Sequence, residues 1–148
     1  MGKRKWWLVA AIVWMISIFI VTQLPYFTGQ NTAKVIQKAV VTDTMSIEYT
    51  SPDPVDIKEL NLIVRKATHF IVFGILAFLL FKAFESYRFS YILAWMLTVL
   101  YALLDEWHQS FMPGRVATYR DVLFDSFGAF VALAVLYMIR KNRVNLSK

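Results

Sequence analysis

Four stretches of the chain are apolar almost throughout, and polar residues collect between them. Trp6–Leu24 runs for 19 residues without a charge. Ala67–Phe84 carries only His69 near one end and Lys82 near the other. Phe89–Leu104 has 16 uncharged residues, and Val122–Ile139 has 18 interrupted by Asp125 alone. A membrane-crossing helix needs ~20 residues, with ~17 a practical minimum. The first stretch is therefore complete, and the other three need polar flanks to finish a crossing. The pattern predicts an all-α, integral membrane bundle of four transmembrane helices over about 6–24, 67–84, 89–104 and 122–139. These form a single domain across 1–148, with outer loops at 25–66 and 105–121. Buried helices of a soluble domain are the competing reading, and they fail because only one substantial polar stretch is left to face water. A cleaved signal peptide is the alternative for the first stretch, but an uncleaved anchor is the better reading, since a signal's apolar region is ~7–15 residues and no clear small-x-small cleavage site follows in Gln23–Thr28.

The one long polar segment, Thr28–Val64, predicts a short amphipathic outer helix. Asn31 or Thr32 can cap it, and Ala33, Ile36, Val40 and Val41 share one face. Ser51-Pro52-Asp53-Pro54 then breaks the chain, because each proline pushes its predecessor out of the helical region. Asp56 and Glu59 have capping-box spacing. A helix from there to about Tyr87 would be ~48 Å long, more than a ~30 Å hydrocarbon core, so its first turns would stand above the membrane.

Composition agrees: 58% of the 148 residues are hydrophobic and 18% charged, against roughly 45–50% and about 25% in soluble domains. Mean hydropathy is +0.51. The 24 aromatic residues exclude a disordered chain. The lack of cysteine excludes disulfides, thiolate metal sites and a cysteine nucleophile. Nine Lys/Arg fall on one side of the expected bundle (Lys3, Arg4, Lys5, Lys82, Arg88, Arg140, Lys141, Arg143, Lys148) with only Glu85 among them. Seven fall on the other side with nine acids. The cationic flanks predict that both termini are cytoplasmic. They also account for the net charge of +6 without nucleic acid. Arg65, Lys66 and His69 then meet the loop Asp105–Asp121 on the outer face.

These two segments hold the candidate chemistry. Arg65 and Lys66 precede His69 by four and three residues, so all three can line one side of a helix. Asp105, Glu106, His108 and Gln109 close the third span, where the helix dipole disfavours carboxylates. Arg65, His69, His108 or Arg115 can supply a neutralising cation. Pro113-Gly114 marks a turn that lets Arg115 reach back, and Thr118 with Asp121 can form a capping box. Asp125 lies one turn deeper, and an acid inside a span is by default a candidate functional group. Gly74 and Gly128 suit close helix packing. Interface anchors and solvated charges are the plain reading for Arg65, Lys66 and the two acids. No HExxH, GxSxG or P-loop occurs, no metal site is expected, and no cofactor is indicated. The residues fit acid–base chemistry with His108 or His69 as the proton carrier, oriented by Asp105 or Glu106. Arg65, Lys66, Gln109, Arg115, Asp121 and Asp125 would then hold the substrate. They fit a non-catalytic anion-binding pocket equally well.

Arg65-Lys66-x-x-His69-Phe70, Gly74, Asp105-Glu106-x-His108-Gln109, Pro113-Gly114-Arg115, Asp121 and Gly128 together resemble the signature of the VanZ-like membrane proteins. Thr22-Gln23-Leu24-Pro25 resembles that family's first-span ending, so the likeness covers about residues 6–139. Where the family commonly has asparagine four residues after Asp121, this chain has Asp125. The resemblance implies a bacterial multi-pass protein of the cell membrane with an envelope role. The family takes its name from an accessory factor in low-level teicoplanin resistance, and members also occur apart from resistance clusters. An envelope lipid, a lipid-linked wall precursor or a lipoglycopeptide is the implied partner besides the bilayer. The oligomeric state stays open.

Overall fold

The protein is seen in a computed structural model that describes residues 2–23, 54–111 and 118–146. Every regular element among them is helical: α1 Gly2–Gln23, α2 Pro54–Phe84, α3 Ser90–Gln109 and α4 Tyr119–Leu146. The expected outer helix around Asn31–Val41 lies outside the described residues, as does the turn that carries Pro113, Gly114 and Arg115. Among the described residues three helices are long and apolar enough to cross a membrane, at Arg4–Thr22, Glu59–Phe84 and Tyr119–Asn145. The expectation of four crossings is met only that far. The uncharged run of α3, Ser90–Leu104, spans ~22 Å at 1.5 Å per residue, short of a ~30 Å core, and acids follow it at once.

The start of α2 corrects the expected cap. The helix begins at Pro54 rather than at Asp56. Proline is pre-organised for a first helical turn, where its missing N–H has no partner to lose. The same helix stops at Phe84, and a turn closed by Tyr87 N–H on the Phe84 carbonyl at 2.9 Å leads into α3.

α3 shows what kind of bundle this is. Ser90, Ala94, Thr98, Ala102, Asp105 and Gln109 repeat at helical spacing and are buried. Met96, Leu100, Leu103, Leu104 and Trp107 are exposed. Small and polar residues face inward and large apolar ones outward, the reverse of a water-soluble helix and what a hydrocarbon surround requires.

α2 is the hub and packs on each of the other three helices. Its crossing with α4 is the tightest, because the Gly128 Cα lies against the Phe70 backbone and leaves no room for a Cβ. Hydrogen bonds stitch the rest: Trp14 Nε1 to the Val72 carbonyl at 3.1 Å, Tyr101 Oη to the Met15 carbonyl at 2.6 Å, and Trp95 Nε1 to the Ser126 carbonyl at 3.1 Å. At one end of the bundle Arg4 donates to Tyr87 Oη at 2.6 Å, and Lys82 (2.6 Å) and Arg140 both pair with Glu85. The ends of α1 and α3 therefore meet the starts of α2 and α4 at the opposite end, where the polar residues gather.

Candidate functional site

Asp105 sits in the last turn of α3, 4% exposed. Its carboxylate accepts from Thr22 Oγ1 of α1 at 3.2 Å and from Gln109 Nε2 at 2.6 Å. These neutral donors compensate a buried acid that the helix dipole disfavours. They also tie α1 to α3. Gln109 reaches Asp105 because the two are one turn apart on the same helix face; Thr22 is brought there only by packing.

Glu106, beside it, accepts the Thr118 N–H at 2.5 Å. That bond corrects the expected capping box, since the N–H that Asp121 was to take is held by Glu106. Asp121 donates its own backbone N–H to the Thr118 carbonyl at 2.8 Å, closing the first turn of α4. Glu106 thus fixes where α4 begins. It lies beyond the uncharged run 89–104. Burial pushes its carboxyl above the ordinary carboxylate range, and nearby Asp121 adds to the shift, while the Thr118 N–H opposes it.

His69 and Asp125 form the innermost pair. Asp125 is 2% exposed, and His69 Nδ1 stands 3.3 Å from its Oδ1 and 3.5 Å from its Oδ2. The imidazole also stacks on Phe73, ring centroids 6.0 Å apart. A carboxylate at this depth needs a partner. An Nδ1–H held by a carboxylate leaves Nε2 as the ring's open acceptor.

Around this pair lies a polar pocket of ≈ 60 Å³ between α2 and α4. Arg65, Lys66, His69, Gln109, Asp121 and Asp125 contribute to it, with Leu62 and Phe124 as its apolar walls. Lys66 Nζ lies 4.4 Å above the Phe124 ring. Among the described residues neither Arg65 nor Lys66 is in a salt bridge. The space suits a few waters or one small polar group, not a whole drug-sized molecule at ~300–1,000 Å³. Among the described residues no three His, Cys, Asp or Glu side chains are grouped to hold a metal ion.

Packing thus gathers Arg65, Lys66, His69, Gln109, Asp121 and Asp125, with Asp105 and Glu106 directly behind. His108 stands apart from this set, its ring centroid 4.8 Å from that of Phe19. Arg115 lies outside the described residues. Sequence reasoning did not count Thr22, the donor from α1, among the site residues; its place at the head of the first-span ending Thr22-Gln23-Leu24-Pro25 was the available signal.

The model of the VanZ/LLP1 family matches residues 7–140. The chain belongs to the VanZ-like family. No curated protein and no solved structure matches it. For this VanZ-like protein, three apolar helices of crossing length and an inward-facing polar stripe agree with a place in a membrane.

Proposed function

We propose that this VanZ-like chain is a single four-span domain of the bacterial cell membrane with both termini cytoplasmic. Its outward-facing pocket takes the polar head of an envelope amphiphile. The inverted surface of α3 supports a fourth crossing, with Trp107 and Phe111 at the outer interface. Along α2, Arg65 and Lys82 are 17 residues apart, about 26 Å at 1.5 Å per residue, which fits one hydrocarbon core with a cation at each surface.

The observation that carries the reading is the His69–Asp125 pair, set one turn below two cations, Arg65 and Lys66, that form no salt bridge among the described residues. In this reading Arg65 and Lys66 hold the anionic group, to which an arginine fork is suited. Asp125 orients His69, and Nε2 of that ring carries the proton. Of the two histidines, His69 and not His108 takes this role. Asp105, Thr22 and Gln109 position the floor. The amphiphile is an envelope lipid, a lipid-linked wall precursor or a lipoglycopeptide.

The test is mass spectrometry of membrane lipids and wall precursors. Cells lacking the protein are complemented with wild type, His69→Ala, Asp125→Asn or His108→Ala at matched membrane abundance. A species that accumulates in the null, His69→Ala and Asp125→Asn cells, but not with His108→Ala, is the expected result. Restoration of the wild-type profile by His69→Ala and Asp125→Asn overturns acid–base chemistry through this pair. Loss of a teicoplanin phenotype with an unchanged profile would assign the pocket to binding alone.

A further inference from the structure

The polar pocket is too small for an amphiphile, so the remainder of such a ligand must lie elsewhere. A second cavity of ≈ 250 Å³, about four times larger, opens between α1 and α2. Trp14, Ile18, Val21, Val72 and Phe73 line it, and His69 is common to both cavities.

The groove is made apolar by the way its polar side chains are satisfied. Ser17 Oγ donates to the Val13 carbonyl and Thr68 Oγ1 to the Val64 carbonyl, each at 2.8 Å. Thr22 Oγ1 shares its one hydrogen between the Phe19 carbonyl at 3.0 Å and Asp105 at 3.2 Å, and the Trp14 N–H is held by the Val72 carbonyl. What these residues present to the groove is therefore carbon. A water there would find too few partners, whereas a hydrocarbon chain loses nothing.

Two features join the groove to the polar pocket. Arg65, His69 and Val72–Phe73 follow one another at helical spacing on α2, so the stripe that carries the cation continues into the groove. On the other wall, Thr22 of the groove bonds Asp105, which bonds Gln109 of the pocket. We propose that the α1/α2 groove is the acyl-chain subsite of an anionic phospholipid whose phosphate is held by Arg65 and Lys66, the tail passing beside His69. This rests on the head-group reading above and names the ligand class. Continuity with the pocket of Arg65 and Lys66, through His69 that lines both, selects this groove over the larger ≈ 580 Å³ groove between α3 and α4, which is lined by Tyr91, Trp95, Leu133 and other apolar residues and shares none with that pocket.

The test uses the full-length protein in phosphatidylcholine nanodiscs doped with phosphatidylglycerol carrying a diazirine near one acyl terminus. Photo-adducts are mapped by peptide mass spectrometry. Labelling of residues 14–22 and 68–73 should exceed that of the α3/α4 groove several-fold. It should fall several-fold in Val72→Trp, which fills the groove, and in Ser17→Trp, which blocks its exposed lip and preserves the core if the first variant misfolds. Arg65→Ala/Lys66→Ala should reduce groove labelling and leave the α3/α4 adducts unchanged. Equal labelling around the bundle, equal labelling by diazirine phosphatidylcholine, or insensitivity to both tryptophan variants would overturn the subsite. Failure of the acid–base reading is separable: Asp125→Asn would then restore the cellular profile while groove labelling kept its dependence on Val72 and Arg65.

Discussion

Replacing Gly128 by alanine should separate α2 from α4 and disconnect the His69–Asp125 pair. A Cβ built on Gly128 lies 2.4 Å from the Phe70 carbonyl oxygen and 3.0 Å from its Cα. Both contacts are backbone, so no rotamer change relieves them. Reaching ordinary contact at 3.4 Å requires the helices to part by roughly 1 Å. Overpacking of this kind costs about 1–3 kcal/mol. Gly74 is the internal control: its Cβ would meet Ala132 Cβ and the Gly128 carbonyl oxygen at 3.4 Å, already ordinary contact. Both glycines are mid-helix, so the gain of roughly 1 kcal/mol from alanine's helix propensity cancels between the variants. Gly128→Ala should therefore be about 1–3 kcal/mol less stable than Gly74→Ala. Phe70 adjoins His69 and Gly128 lies three residues after Asp125. The same 1 Å would lengthen the 3.3 Å contact beyond hydrogen-bond range. Equilibrium unfolding in mixed micelles measures the stability difference. Cysteines placed singly on α2 and α4 report the separation cleanly, because the chain has none of its own. Equal stabilities for the two variants, or unchanged cross-linking in Gly128→Ala, would refute the packing argument.

Three further outcomes are expected. His69→Ala should destabilise the bundle by about 3–5 kcal/mol because it leaves the buried Asp125 carboxyl unpaired, and Asp125→Ala should cost less because the His69 side chain keeps 25% of its surface exposed; the double variant should lose clearly less than the sum, and additivity in a double-mutant cycle would show that the two do not interact. Gln109→Leu should cost about 1–3 kcal/mol in mixed-micelle unfolding by removing the donor to Asp105, and the further loss from Thr22→Val should be non-additive with it. The raised Glu106 carboxyl gives stability that is fully present below its unfolded-state value and is lost as pH rises through the folded one; Glu106→Gln, which still accepts the Thr118 N–H, should flatten that decline between the two values, and an unchanged pH profile would remove Glu106 as its source.

The apolar stretches were legible because a hydrocarbon solvent acts on each helix separately. Nineteen uncharged residues after Lys5 specify α1 without reference to any neighbour. The missed helix start, Pro54 rather than Asp56, reflects two local signals that compete within one turn. The inward stripe of α3 was also present in the sequence, as Ser90, Ala94, Thr98 and Ala102 at four-residue spacing. It escapes a search for apolar faces because in lipid the informative face is the small and polar one.

Spacing along one helix likewise determined which residues could share a face: Arg65, Lys66 and His69 on α2, Asp105 and Gln109 on α3, Asp121 and Asp125 on α4. Pairing between helices depends on crossing distance and rotation, which Gly128 sets by admitting the Phe70 backbone and which no single helix encodes. Only the tertiary structure decided that His69 meets Asp125, that Asp105 is held by Thr22 and Gln109, and that Glu106 caps α4. It also turned His108 toward Phe19, because burying α3's small-residue stripe against the bundle rotates position 108 to the side where α1 ends.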